Sequence, residues 1–256
     1  MKLFVSDYDM TIYIQEKIDK TVFDAISKWR EAGNIFAIAT GRNKFSIFEH
    51  IDRHSLTFDY LIANNGALIF NDKRETIFKD TIDEDTAYEV IRFLHNTFGG
   101  TVEIANDDYI ISVQSKDGND ILPFRVDKKI NINELYTIKN IIQINKMTSD
   151  IKATENVANT INKEFSSSLI AYGNIRTVDI VKNTVNKANG VEFLYNFLKA
   201  DKNISKILTA GDSNNDIEMI KKYDGYVQIN ARENVKAISS KYFNFISDII
   251  YKELGL

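Results

Sequence analysis

Three short, largely apolar runs, residues 3–5, 35–39 and 204–210, each lead directly into a polar loop. A brief apolar run without strict alternation is the pattern of a strand covered on both faces, which belongs to a parallel sheet packed between helices. Helical spacing separates the runs. Residues 21–32 carry Val22, Ile26 and Trp29 on one side, with Thr21 placed as an N-cap and Gly33 as a stop. Residues 45–53, 187–199 (Val191, Leu194, Phe197 and Leu198 on one side), 216–223 and 234–240 read as further helices, and 225–229 as another strand. Residues 60–63 and 67–70 are strand-like around Asn64-Asn65-Gly66, a strong turn signal.

The middle of the chain has a different character. Residues 83–98 predict a helix stopped by Gly99-Gly100, and 101–105 and 109–113 two strands joined by Asn106-Asp107-Asp108. A mixed stretch runs to Leu135. Residues 140–145 look extended, 150–165 helical, and 168–172 with 176–181 form a hairpin around Gly173-Asn174. Hairpins with helices indicate an α+β module on an antiparallel sheet. A parallel α/β layout broken by such a module predicts a discontinuous core, residues 1–79 and 183–256, with an α+β domain, residues 80–182, inserted into it. The length of 256 residues suits that division.

Composition removes several classes of function. The net charge of −4 has the wrong sign for general nucleic-acid binding. With no Cys there is no disulfide scaffold, thiolate zinc site or Cys nucleophile. The three His residues, His50, His54 and His95, are scattered, and His50 and His54, with no ligand cluster around them, are read as structural. No apolar stretch approaches the ~18 residues of a membrane span, and the start does not resemble an export signal. The expectation is a cytoplasmic protein with neither membrane nor nucleic acid as partner; no heptad or apolar stripe sets an oligomeric state.

The chemistry lies where the apolar runs end. Asp7-Tyr8-Asp9-Met10-Thr11 follows the first, Thr40-Gly41-Arg42 the second and Gly211-Asp212-Ser213-Asn214-Asn215-Asp216 the third. Ligands of open α/β sheets bind at that edge, and right-handed crossovers make these strands neighbours. Asp7, Asp9, Asp212 and Asp216 then share one crevice. Unpaired carboxylates crowded together cost several kcal/mol, which a hard divalent cation removes. Oxygen donors without His or Cys select Mg²⁺, which commonly shares its shell with a phosphate. One carboxylate can attack phosphorus, and another two residues on can act as general acid and then base. Phosphate-monoester hydrolysis needs up to ~10²¹-fold acceleration and a general acid supplies only ~10²–10⁴ of it. Groups that hold the phosphoryl oxygens are therefore required. The Thr40 hydroxyl, the Asn215 amide and the Lys187 ammonium are the candidates.

These segments resemble, in order, the four motifs of the haloacid dehalogenase superfamily of phosphatases: Asp7-Tyr8-Asp9-Met10-Thr11, Thr40, Lys187 in Val185-Asn186-Lys187, and the Gly211–Asp216 loop. Their spacing, and the Asn64-Asn65-Gly66-Ala67 turn, are similar to the Cof-type branch, which has a Rossmann-like parallel-sheet core and an inserted α+β cap that carries substrate specificity. The resemblance implies that Asp7 is the nucleophile and a Mg²⁺ ligand, and that Asp9 is the acid/base, its backbone carbonyl also on the metal. It makes Asp212 a third ligand and Asp216 a support behind it. Thr40, Lys187 and Asn215 would hold the phosphoryl group, and Arg42 and Asn65 would lie where substrate approaches. Thr40 is also expected to cap the helix after it. Where the family usually has Gly, this chain has Met10, expected to be a tolerated loop change at the pocket's flank.

The implied activity is Mg²⁺-dependent hydrolysis of a small phosphorylated metabolite, a sugar phosphate foremost, through an aspartyl-phosphate. A phosphomutase of the same superfamily and a non-catalytic sugar-phosphate sensor are the alternatives. A receiver-type phosphoacceptor domain also uses strand-end carboxylates but is half this length. Other residues read as ordinary structure: Phe23, Trp29 and Phe36 as packing, Asp107-Asp108 as a hairpin turn.

Overall fold

The computed structural model of the chain describes residues 1–115 and 125–256. Two compact units are present, Met1–Phe78 with Asn186–Leu256, and Lys79–Val185. The first unit opens with β1 (Lys2–Asp7), a small hairpin of β2 (Tyr13–Ile14) and β3 (Lys17–Ile18), and α1 (Lys20–Glu31). It continues through β4 (Ile35–Ala39), α2 (Lys44–His54), β5 (Tyr60–Ala63), a 3₁₀ turn at Asn64–Gly66, β6 (Leu68–Asn71) and β7 (Thr76–Lys79). The second unit holds α3 (Glu84–Phe98), β8 (Val102–Ala105), β9 (Ile110–Val113), β10 (Lys128–Ile130), β11 (Gln143–Met147), α4 (Ile151–Glu164), β12 (Leu169–Gly173) and β13 (Thr177–Lys182). The chain then returns with α5 (Lys187–Leu198), β14 (Lys206–Gly211), α6 (Ile217–Lys222), β15 (Tyr226–Gln228), α7 (Glu233–Lys236), β16 (Tyr242–Phe243) and α8 (Ile246–Leu254).

The first unit is built on an eight-stranded sheet in the order β16-β15-β14-β1-β4-β5-β6-β7. β1 lies parallel between β14 and β4, with Ser6 beside both Ala210 and Ile38. The three strands that feed the motif loops are thus adjacent, as right-handed crossovers require. Past Lys2, Lys206 and Ile207 at the strand starts, their residues are buried on both faces. Leu3, Val5, Ala37 and Ala39 pack with Ala188, Val191 and Leu194 of α5, while Phe4 meets Trp29 of α1 and Phe36 edge-on at 6.0 and 5.8 Å. The Trp29 indole N–H donates to the Ile35 carbonyl at 2.8 Å, so its one polar group is satisfied inside the core.

The second unit has a six-stranded sheet, β10-β9-β8-β11-β13-β12. Alternation decides its faces. Val102, Ile104, Ile144, Val178 and Ile180 pack against Ile91 and Leu94 of α3 and Val157 and Ile161 of α4. The residues between them put Asn145 in register with Glu103 on one side and Asp179 on the other.

Several local expectations shift. α1 is capped by Asp19, whose carboxylate accepts from the backbone N–H of Thr21; Thr21 is inside the helix. β11 begins at Gln143, three residues later than the extended stretch read from the sequence. α7 covers only Glu233–Lys236. Of the mixed stretch before Leu135, residues 116–124 lie outside the described residues. Among the described residues no helix is long and apolar enough to cross a membrane.

Candidate active site

Asp7 is the last residue of β1, Thr40 follows β4, and Asp212 follows β14, so the sheet register places all three at one edge. Lys187 joins them as the first residue of α5, whose N-cap Asn186 accepts from the Asn189 N–H. Its side chain is 1% exposed. The ammonium donates to Asp7 Oδ1 at 2.5 Å and to Asp216 Oδ1 at 2.6 Å. Lys has three N–H donors, so one remains for an incoming oxygen.

Asp216 is fully buried and used on both oxygens. Its Oδ2 accepts from the backbone N–H groups of Asp212 and Ser213, each at 3.0 Å, and from the Ser213 hydroxyl at 3.2 Å. It thereby folds the 212–216 loop around itself. Gly211 is required beside it, since a Cβ there would stand 2.4 Å from Asp216 Cγ. Asp212 accepts from the Thr11 hydroxyl at 3.0 Å, which ties the first motif loop to the fourth. Thr11 was not singled out from the sequence, although it stands inside the first motif.

Burial pushes the Asp7 carboxyl well above the usual range; Lys187 opposes this, and Asp216 and Asp212 reinforce it. Burial and then Asp216 push Asp212 up to about 7. Burial alone would lower the Lys187 ammonium, but Asp216 and Asp7 outweigh it and hold it above its ordinary value. The charges do not balance. Three carboxylates face one ammonium, and Asp7 Oδ2 is buried without a hydrogen-bond partner. Oxygens of Asp7, Asp212 and Asp216 lie within 4.8 Å of one another. One divalent cation would cancel the excess charge and occupy the orphaned oxygen. An all-oxygen donor set suits a hard ion such as Mg²⁺. The residues present therefore fit such a metal.

Asn65 and Asn215 meet directly, the Asn215 amide donating to Asn65 Oδ1 at 2.8 Å. The turn that carries Asn65 is tightly specified. Asn64 and Asn65 have φ of 52° and 56°, Gly66 has φ +113°, and a Cβ on Gly66 would lie 2.5 Å from the Asn186 carbonyl. The Asn65 N–H donates to the Thr40 carbonyl at 2.9 Å. Thr40 is buried, and its hydroxyl accepts from the Arg42 N–H at 3.2 Å. It does not cap α2. Asn43 does, its side chain accepting from the Ser46 N–H, because the helix begins only at Lys44.

Asp9 and Arg42 form a separate pair. Nε and Nη2 of Arg42 donate to the two oxygens of Asp9, both at 2.7 Å. Met10, next in the chain, has φ 60° and is 50% exposed. The position thus does require the left-handed backbone at which Gly is unstrained, and Met adopts it. His50 and His54, one turn apart on α2, pack around Tyr13 with centroids at 5.3 and 5.2 Å, which agrees with a structural reading.

Residues 4–248 match the model of a haloacid dehalogenase-like hydrolase family. An uncharacterized protein of Mycoplasma capricolum is 24% identical over 235 residues, covering 87% of this chain and 88% of that one. A haloacid dehalogenase-like hydrolase from B. subtilis superposes with a TM-score of 0.81 at 18% identity over the whole of both chains. A sugar phosphatase of haloacid dehalogenase subclass IIB superposes at 0.79 and 19%, covering 100% of this chain and 99% of that one. The family match, the parallel sheet with its insert and the carboxylates at the sheet edge agree, and the chain belongs to the haloacid dehalogenase-like hydrolases.

Proposed function

We propose that this protein is a Mg²⁺-dependent phosphatase of small phosphorylated metabolites, sugar phosphates foremost, acting through an aspartyl-phosphate on Asp7. The observation that carries the reading is the buried, partnerless Asp7 Oδ2 in a carboxylate cluster with excess negative charge. The likeness to a subclass IIB sugar phosphatase supports the sugar-phosphate class.

The reaction follows from these groups. Asp7 attacks phosphorus; the new bond runs from its carboxylate oxygen to phosphorus as the bond to the leaving oxygen breaks. Asp9 gives that oxygen its proton, so the alcohol departs neutral. Water then attacks the aspartyl-phosphate, Asp9 takes its proton, and orthophosphate leaves with Asp7 regenerated. Lys187, Thr40 and Asn215 hold the phosphoryl oxygens, and their charge and N–H or O–H donors stabilise the transferring group. Asp7, Asp212 and the Asp9 backbone carbonyl would hold Mg²⁺, with Asp216 behind them. When bound, the ion supplies the positive charge that lets a phosphate dianion approach a carboxylate.

The test is orthophosphate release from a panel of phosphorylated sugars, nucleotides and cofactor precursors, with Mg²⁺ and with chelator. Release that requires the metal and is greatest with sugar phosphates is the expected result. No release from any member by folded protein would overturn the reading, and turnover only with a bisphosphate and no free phosphate would replace it by a mutase.

A further inference from the structure

The Asp9–Arg42 pair goes beyond what phosphoryl transfer by itself calls for. An acid/base group that works on the leaving oxygen needs a defined direction, yet the Asp9 side chain is 44% exposed and lies in a loop. Arg42 supplies the constraint. Its planar fork meets both carboxylate oxygens, the geometry that fixes a carboxylate's orientation as well as its place. Arg42 is held in turn. Nη1 donates to the Ser46 hydroxyl at 3.2 Å, and the guanidinium stands 5.5 Å from the centroid of the buried Tyr8 ring. Its backbone carbonyl accepts from Asn64 at 2.9 Å, within the turn that carries Asn65. Neither of the two N–H groups in the fork is spare for a phosphate while this arrangement lasts.

We infer that Arg42 is a positioning residue that acts through Asp9, orienting the carboxylate for proton transfer to the leaving oxygen and from the attacking water, rather than a binder of the phosphoryl group. The inference rests on the phosphatase reading. It makes one chemical distinction. In the first step, formation of the aspartyl-phosphate, a residue that acts through the acid matters only when the leaving group needs a proton; the second step, in which Asp9 takes a proton from water, is common to all substrates. An alkoxide from a hexose phosphate does, whereas p-nitrophenolate leaves unaided.

Arg42→Ala, Arg42→Lys, Asp9→Asn and the Arg42→Ala/Asp9→Asn double variant are compared on glucose 6-phosphate and on p-nitrophenyl phosphate. A general acid contributes ~10²–10⁴-fold, and misdirecting it forfeits part of that. Arg42→Ala is expected to lower kcat on the hexose phosphate ~10–100-fold with KM little changed, and to leave the pre-steady-state burst of p-nitrophenolate, which reports the first step alone, within ~3-fold. Lys, a point donor without the fork, recovers only part. The double variant is no slower than Asp9→Asn, because the two act as a unit. Equal losses in the p-nitrophenolate burst and in hexose phosphate turnover, with a raised KM and adding to the loss from Asp9→Asn, would overturn the inference and make Arg42 a phosphate binder. Wild-type protein that releases phosphate with Mg²⁺ from neither of these substrates nor from any member of the panel would overturn the phosphatase reading, and this inference with it.

Discussion

Replacing Lys187 by Met removes the one cation between two buried carboxylates while keeping most of the side chain's volume. The ammonium lies 2.5 Å from Asp7 and 2.6 Å from Asp216, all three being at most 5% exposed. At an effective dielectric of ~20 each contact has a gross attraction of about 6–7 kcal/mol. Desolvation offsets most of this, and removing one partner of a buried pair costs about 3–5 kcal/mol net, because the other charge stays behind unpaired. For a chain of this size that lowers Tm by roughly 6–20 °C. The assay is intrinsic fluorescence, since the single Trp, Trp29, is buried in the same unit as the site and reports its unfolding. The melt is run in chelator at pH 8 and pH 5. The Asp7 and Asp212 carboxyls already sit above their ordinary values, and without the ammonium they rise further. Groups with raised native pKa lose stability as pH rises, so the penalty is larger at pH 8 than at pH 5. Mg²⁺ recovers part of it at pH 8. A variant within about 1 kcal/mol of wild type at pH 8, or a penalty that grows as pH falls, would refute this account of the cluster.

Three further outcomes follow from single side chains. Glu103 is buried with Oε1 unpartnered, and burial and then Asp179 push its carboxyl up to about 7. Its cost to the native state is absent below the unfolded pKa and complete above about 7, so Glu103→Gln should match wild type at pH 4 and exceed it by about 1–3 kcal/mol at pH 8, read by hydrogen exchange across β8 and β11; equal differences at both pH values would contradict this. Gly66→Ala puts a Cβ 2.5 Å from the Asn186 carbonyl at φ +113° and should cost about 1–3 kcal/mol in the Trp29 melt; an unchanged melt would show that the turn gives way freely. Met10→Gly relieves a left-handed backbone worth ~1–2 kcal/mol against ~0.5–1 for glycine's extra unfolded freedom, so stability should hold or rise slightly, and a clear fall would show that Met10 packs more than its exposure indicates.

How much of this was legible in the sequence depends on range. Asp7, Asp9, Thr40 and Asp212 could be found because each stands just beyond a run that must be a buried strand, and the crossover rule makes those strands adjacent. The hairpin of β2 and β3, two residues a side, is too short for any period to register. α8 carries a visible signal in Ile246, Ile249 and Ile250, whose helical spacing alone is enough to find it. Partner choice was the least legible. Arg42 and Asp9 are 33 residues apart, and Asn215 and Asn65 150 apart, so motif spacing names such residues without saying which atoms meet. The Thr40 hydroxyl and the Asn43 cap show the same limit over three residues, where backbone geometry decided between two good capping side chains.

Asp7 is proposed to carry the phosphoryl group. Rapid-quench mass spectrometry of the protein turning over a sugar phosphate with Mg²⁺ tests it most directly. The account expects one added phosphoryl group, mapped to the peptide containing Asp7 and absent, together with turnover, from Asp7→Asn. Sustained turnover by Asp7→Asn, or turnover by wild type with no adduct trapped at Asp7 at any quench time, would contradict it.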